Sequence, residues 1–146
     1  MDVYNTDGLF VCSFGEGTYF GGGFIAYRIT AANDGRVMVC VMNWHDCCVH
    51  IFSEDGHHLD KFQVQGGYRS YLRIAFHMLS EHVVIVGETG ERGIVLVEIF
   101  TKDGVFVRRT ETSVKFINIG GMTVTRDGRI AVVGSGISFT PKVLVI

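Results

Sequence analysis

The chain has 146 residues, 47% hydrophobic and 19% charged, with a formal net charge of −2, which fits one soluble globular domain. A pI near 6.3 offers no global attraction to a phosphate backbone, and the apolar runs at 83–87 and 94–97 are far shorter than the roughly 20 residues of a membrane-spanning helix. Met1-Asp2-Val3 begins no signal peptide, so a soluble cytoplasmic protein is expected, with Cys12, Cys40, Cys47 and Cys48 as free thiols.

In chain order, the first feature is a strand end at Val3-Tyr4 running into Asn5-Thr6-Asp7-Gly8, with a return strand at 9–14. An Asp-Gly pair between apolar runs is a hairpin signal, because glycine takes the positive φ the turn needs. The glycine-rich stretches Gly15-Glu16-Gly17-Thr18 and Gly21-Gly22-Gly23 lack the lysine and following helix of a phosphate loop and read as connections. A second hairpin follows, with strands 28–32 and 37–41 around Asn33-Asp34-Gly35-Arg36.

The segment Trp44-His45-Asp46-Cys47-Cys48-Val49-His50 has metal-ligand residue types, with His57 and His58 one hairpin later. It lacks the Cys-x2-Cys and His-x3-His spacings that let side chains converge on zinc, so it reads as a loop and strand. The pattern then recurs. Ile51-Phe52-Ser53-Glu54-Asp55-Gly56 and Ile99-Phe100-Thr101-Lys102-Asp103-Gly104 repeat the first turn at a spacing of 48, with return strands at 58–62 and 105–107. Arg126-Asp127-Gly128-Arg129 repeats the second turn between strands 121–125 and 130–134, and Ser80-Glu81-His82 is its degenerate middle copy between 72–76 and 83–87.

A fixed period of 20 to 50 residues marks a repeat architecture. Each period here holds four short antiparallel strands, so the expected fold is all-β: a β-propeller with three blades of four strands, about 3–50, 51–98 and 99–146, forming one segment over 1–146. Twelve or so strands and essentially no helix are expected, with Val39, Val41, Ile85, Val132 and Leu144 buried between sheets.

Gly121-Met122-Thr123-Val124-Thr125-Arg126-Asp127-Gly128-Arg129-Ile130-Ala131-Val132 resembles the opening of an NHL repeat, and Val41-Met42-Asn43-Trp44-His45-Asp46-Cys47-Cys48-Val49-His50-Ile51-Phe52 resembles its second half. The resemblance implies a six-bladed propeller like those at the C-terminus of tripartite-motif (TRIM-NHL) ubiquitin ligases, of which this chain would be half. It implies a non-enzymatic scaffold without cofactor or metal, recognising a protein or peptide as the substrate-recognition part of a ubiquitin-ligase-like protein. The alternative is a propeller that binds single-stranded RNA.

The connections before the first strand of each blade carry aromatics and cations, residue types favoured at binding hot spots and in base stacking. The expected partner-binding face comprises Tyr27, Arg28, Trp44, His45, Tyr68, Arg69, Tyr71, Arg73, Arg92, Lys115 and Phe116. Val145, Val97, Val49 and Met1 share one repeat position, so the chain is expected either to close a six-bladed ring as a homodimer or to be a fragment of a longer propeller.

Overall fold

Short apolar-rich runs separated by Asp-Gly turns leave no stretch long enough for a helical face, and the described residues fold as strands joined by turns. The computed structural model describes residues 2–4, 6–13, 25–42, 46–89, 94–116, 118–136 and 141–146. The strands are β1 (Asp2–Tyr4), β2 (Phe10–Ser13), β3 (Ile25–Ala31), β4 (Val37–Met42), β5 (Cys47–Phe52), β6 (His58–Val64), β7 (Tyr68–His77), β8 (His82–Thr89), β9 (Ile94–Thr101), β10 (Phe106–Lys115), β11 (Asn118–Val124), β12 (Ile130–Ser135) and β13 (Pro141–Val145). No helix among the described residues is long and apolar enough to cross a membrane.

The strands form four separate antiparallel sheets: β1–β2, β3–β6, β7–β10 and β11–β13, with two, four, four and three strands. This corrects the propeller expectation. The class is all-β, but the sheets are open, and they close neither into a three-bladed arrangement nor into a six-bladed ring. Asp-Gly turns and a 48-residue period specify hairpins, which are local; ring closure is a contact between distant sheets, on which the local pattern is silent.

The hairpin repeat itself is reproduced in detail. Asp2↔Ser13, Val3↔Cys12 and Tyr4↔Phe10 in β1–β2 match His50↔Lys61, Ile51↔Asp60 and Phe52↔His58 in β5–β6, and Glu98↔Arg109, Ile99↔Arg108 and Phe100↔Phe106 in β9–β10, with the irregularity at the same place each time. Gly8, Gly56 and Gly104 carry φ of 77°, 84° and 81°, while Gly35 and Gly128 carry 84° and 86°. At the degenerate middle turn Glu81 takes φ 52°, and it is the one non-glycine with positive φ among the described residues. It shows that the repeat geometry overrides a residue's own preference.

The sheets stack in chain order. One apolar cluster joins Met38, Cys40, Val49 and Ile51 of β3–β6 to Leu72, Ile85, Leu96 and Phe100 of β7–β10. A second joins Val84, Val86, Val95 and Val97 to Ile119, Ile130 and Val132 of β11–β13. A third packs Val3 of β1 against Val39, Val41 and Phe52. Alternate residues of β4–β5 and β8–β9 therefore face opposite neighbours, and the central sheets are apolar on both sides. Val39, Val41, Ile85 and Val132 are buried as expected; the side chain of Leu144 is not among those described.

Polar clips cross the same junctions at the turns. Arg36 of the β3–β4 turn reaches Asp103 Oδ1 of the β9–β10 turn at 2.9 Å, and Asn33, also of the β3–β4 turn, donates to Glu81 Oε1 at 3.3 Å, while Lys102 ties Glu81 within the second sheet at 2.9 Å. Between the next two sheets, Arg73 donates to the carbonyls of Ile119 and Gly120, and His77 Nε2 lies 3.3 Å from the Arg126 carbonyl.

Close approach has a consequence at Gly87 of β8, where a Cβ would overlap the ring of Tyr68. Gly87→Ala should destabilise the protein by about 1–3 kcal/mol through overpacking. Gly120→Ala, whose Cβ would come no nearer than 3.6 Å to another atom, should stay within about 0.5 kcal/mol. Urea unfolding midpoints of the two variants test the difference.

Candidate functional site

The expected partner-binding residues do not share one environment. Tyr68 and Phe116 are buried, Tyr68 in the junction between β3–β6 and β7–β10 and Phe116 in the junction with β11–β13. Arg73 is committed to main-chain carbonyls across a sheet junction. Arg28 and Lys115 are exposed. Tyr27 lies in β3 and Arg69 and Tyr71 in β7, with side chains not among those described, while Trp44, His45 and Arg92 fall outside the described residues.

What the fold does assemble is a buried polar group that the sequence reading passed over. Glu98 and Arg109 are directly opposed on β9 and β10, at the repeat position that holds Asp2 and Ser13 in β1–β2, where the Ser13 hydroxyl donates to Asp2 at 2.6 Å. In the β9–β10 copy the acid faces the preceding sheet and is wholly inaccessible. Arg109 donates to Glu98 Oε1 through Nε at 3.0 Å and through Nη2 at 2.5 Å. Glu98 Oε2 and Tyr68 Oη are both buried without a hydrogen-bond partner. Burial and the nearby Glu98 charge push the Tyr68 phenol well above its ordinary value.

Two thiols line the same junction, Cys40 Sγ lying 3.5 Å from Cys47 Sγ, while Cys48 packs on the opposite face with Val39, Val41 and Phe52. All three are free and buried; Cys12 has no described side chain. Hydrogen bonding to Cys40 and burial push the Cys47 thiol far up, and burial raises Cys48. Burial lowers His50, helped by the charges of His58 and Lys61, and His50 Nδ1 sits 2.9 Å from His58 Nε2. Among the described residues no three His, Cys, Asp or Glu side chains converge in a way that could hold a metal ion. A protonated phenol, protonated thiols and an arginine-held carboxylate, shut away from water, make a structural cluster.

The second distinctive feature is at the ends of the stack. Val86, Val95 and Val97 on the forward face of β7–β10 are 2% exposed or less, being covered by β11–β13. Their repeat equivalents 47, 48 and 48 positions later, Val133, Val143 and Val145, are 46%, 72% and 55% exposed. At the opposite end, Tyr4 is 58% exposed, whereas Phe52 and Phe100, 48 and 96 positions on, are each 1% exposed. All three rings make the same edge-on contact with the residue six further along: Tyr4 with Phe10, Phe52 with His58 and Phe100 with Phe106, at 77°, 78° and 75°.

No family model matches this chain, and no curated protein matches it. Among solved structures, a crystal structure of a protein from Lactobacillus plantarum, a structural-genomics target, is similar with a TM-score of 0.51 and 12% identity over 83% of this chain. The match spans 41% of that protein, so this chain corresponds to less than half its length, and at such identity the likeness is of fold alone. The resemblance to NHL repeats therefore does not amount to membership of that family. With it fall the readings that rested on it: a tripartite-motif-like propeller recognising a protein or peptide through its loop face, and its RNA-binding alternative.

Two tests follow from the buried cluster. Arg109→Met should cost about 3 kcal/mol, the lower end of the penalty for stranding a buried charge, because the Arg109 side chain is 38% exposed. Arg108→Met on the exposed face should change stability by less than about 0.5 kcal/mol, and Tyr68→Phe, which removes an unsatisfied hydroxyl, should be neutral or stabilising.

The raised thiols and phenol set the alkaline limit. The unfolded chain releases these protons from about pH 8.5 for thiols and about pH 10 for tyrosine, while the folded chain keeps them. Their contribution is therefore complete below about pH 8.5 and declines as pH rises. Unfolding midpoints that are level from pH 8 to 10.5 would refute this, as would rapid native-state alkylation of Cys47 and Cys48.

Proposed function

We propose that this chain is an assembly module: a stack of β-sheets whose two bare end faces take a further sheet of the same kind. The supporting observation is the contrast between Val133, Val143 and Val145 and their buried equivalents Val86, Val95 and Val97. Among the described residues the same alternating pattern is covered at the internal junctions and exposed at these positions.

Magnitudes set the character of the association. Burying a valine completely is worth about 1.5–3 kcal/mol, whereas association costs roughly 4–15 kcal/mol in lost rigid-body freedom. Three half-exposed valines recover part of that cost, and the aromatic end of the partner must supply the rest. The assembly is thus reversible and concentration-dependent. Sedimentation equilibrium should show an average mass that rises above 16.2 kDa with loading concentration, and Val143→Lys with Val145→Lys should hold the chain at that mass. A wild-type chain that stays at the monomer mass across the micromolar to millimolar range would overturn the proposal.

A further inference from the structure

The turn between β7 and β8 lacks the glycine of its counterparts, and it holds a hydroxyl and an imidazole in contact. His77 Nδ1 lies 2.6 Å from Ser80 Oγ, and His77 Nε2 lies 3.3 Å from the Arg126 carbonyl in the β11–β12 turn. A carbonyl oxygen only accepts, so in the neutral imidazole Nε2 carries the proton and Nδ1 presents its lone pair. The Ser80 hydroxyl therefore donates to Nδ1. A hydroxyl that donates to an imidazole, itself oriented by a third group, has the arrangement of an activated nucleophile.

The hairpin repeat does not account for this pair. The residue before the positive-φ position is Asp34 in the β3–β4 turn and Asp127 in the β11–β12 turn, and each accepts from the arginine two residues on. In the β7–β8 turn that position is Ser80, before Glu81, and its partner is His77 instead. The two residues ahead of Ser80 differ as well. They are Met78 and Leu79, 66% and 68% exposed, where the other turns have Ala32-Asn33 and Thr125-Arg126. The hydroxyl is thus exposed in a turn that carries two solvent-facing apolar side chains.

We propose that Ser80 is an acyl-accepting nucleophile, with His77 as its general base, for activated carboxylic esters with apolar acyl chains. The Ser80 oxygen bonds to the carbonyl carbon as its proton passes to His77 Nδ1. The bond from that carbon to the leaving oxygen breaks, and the leaving oxygen takes the proton from Nδ1. Water then attacks the Ser80 ester in the same way, losing a proton to Nδ1, and that proton returns to the Ser80 oxygen as the carboxylic acid leaves. The two steps sum to ester and water giving acid and alcohol.

The whole chain is treated with 4-nitrophenyl hexanoate and, separately, with an alkyl fluorophosphonate, which loses fluoride to a serine oxygen and leaves a stable adduct. Mass spectrometry should place the adduct on Ser80, and Ser80→Ala should abolish both the adduct and the matching release of 4-nitrophenolate. His77→Gln keeps an acceptor but removes the base, and should slow labelling about a hundredfold, the lower end of what a positioned general base contributes. Ser53, whose Oγ accepts from the His57 N–H, is the internal control. Hexanoate should label Ser80 faster than acetate does, and Met78→Ser with Leu79→Ser should remove that preference. Labelling of wild-type Ser80 no faster than that of Ser53 overturns the proposal, as does a folded His77→Gln variant that labels at the wild-type rate; the contact is then a hydrogen bond that only braces the turn. Equal labelling by acetate and hexanoate overturns the apolar acyl class. If His77→Gln does not fold, the comparison of Ser80 with Ser53 in the wild type decides alone.

Discussion

Everything in this structure depends on one constraint: a β-sheet whose strands are apolar on both faces must be covered on both. Side chains alternate along a strand, and in β4, β5, β8 and β9 both alternating sets are apolar, so Met38, Cys40 and Val49 need one neighbour and Val39, Val41 and Phe52 another. A single four-stranded sheet cannot meet that demand alone. Stacking does, because each sheet serves as cover for the one before it. The hairpins, turns and clips are arranged around that requirement, and the bare valines and tyrosine at the ends are what it leaves over.

The junctions are not purely apolar. The cross-strand position that holds Asp2 with Ser13 and Glu98 with Arg109 places a polar pair into the stacking face. In the central junction the acid is fully enclosed and depends on one guanidinium. A buried ion pair is a poor source of net stability but costly to break; its consequence is that β10 has one acceptable register on β9, the one that sets Arg109 opposite Glu98. The turn clips act at the rim of the same junction, where Arg36, Lys102, Asp34 and Glu81 interlock and depress the acids of Asp34 and Glu81 through their hydrogen bonds to Arg36 and Lys102.

The amino-acid sequence by itself determined the hairpins. Asp-Gly pairs at Asp7, Asp55 and Asp103 demand a positive φ and return the chain on itself within a few residues, and the 48-residue period carried the register from one hairpin to the next down to the irregularity at Tyr4, Phe52 and Phe100. The all-β class and the burial of Val39, Val41, Ile85 and Val132 follow from the same local alternation. Even the middle turn was legible without its glycine, since Glu81 is forced to the glycine conformation by strands on both sides.

Only the tertiary structure decided how the hairpins combine. Local periodicity is identical for an open stack and a closed ring, because closure is a contact between sheets far apart in sequence, and the ring inferred from the period is absent. Side-chain roles diverged for the same reason. Tyr68, Arg73 and Phe116 have the composition of a binding surface, yet which side of a sheet junction they occupy depends on the neighbouring sheet, and that neighbour puts two of them inside and ties the third to Ile119 and Gly120. The Glu98–Arg109 pair and the exposed valines carried no recognisable motif, because their significance lies in burial, and burial is a property of the assembled stack.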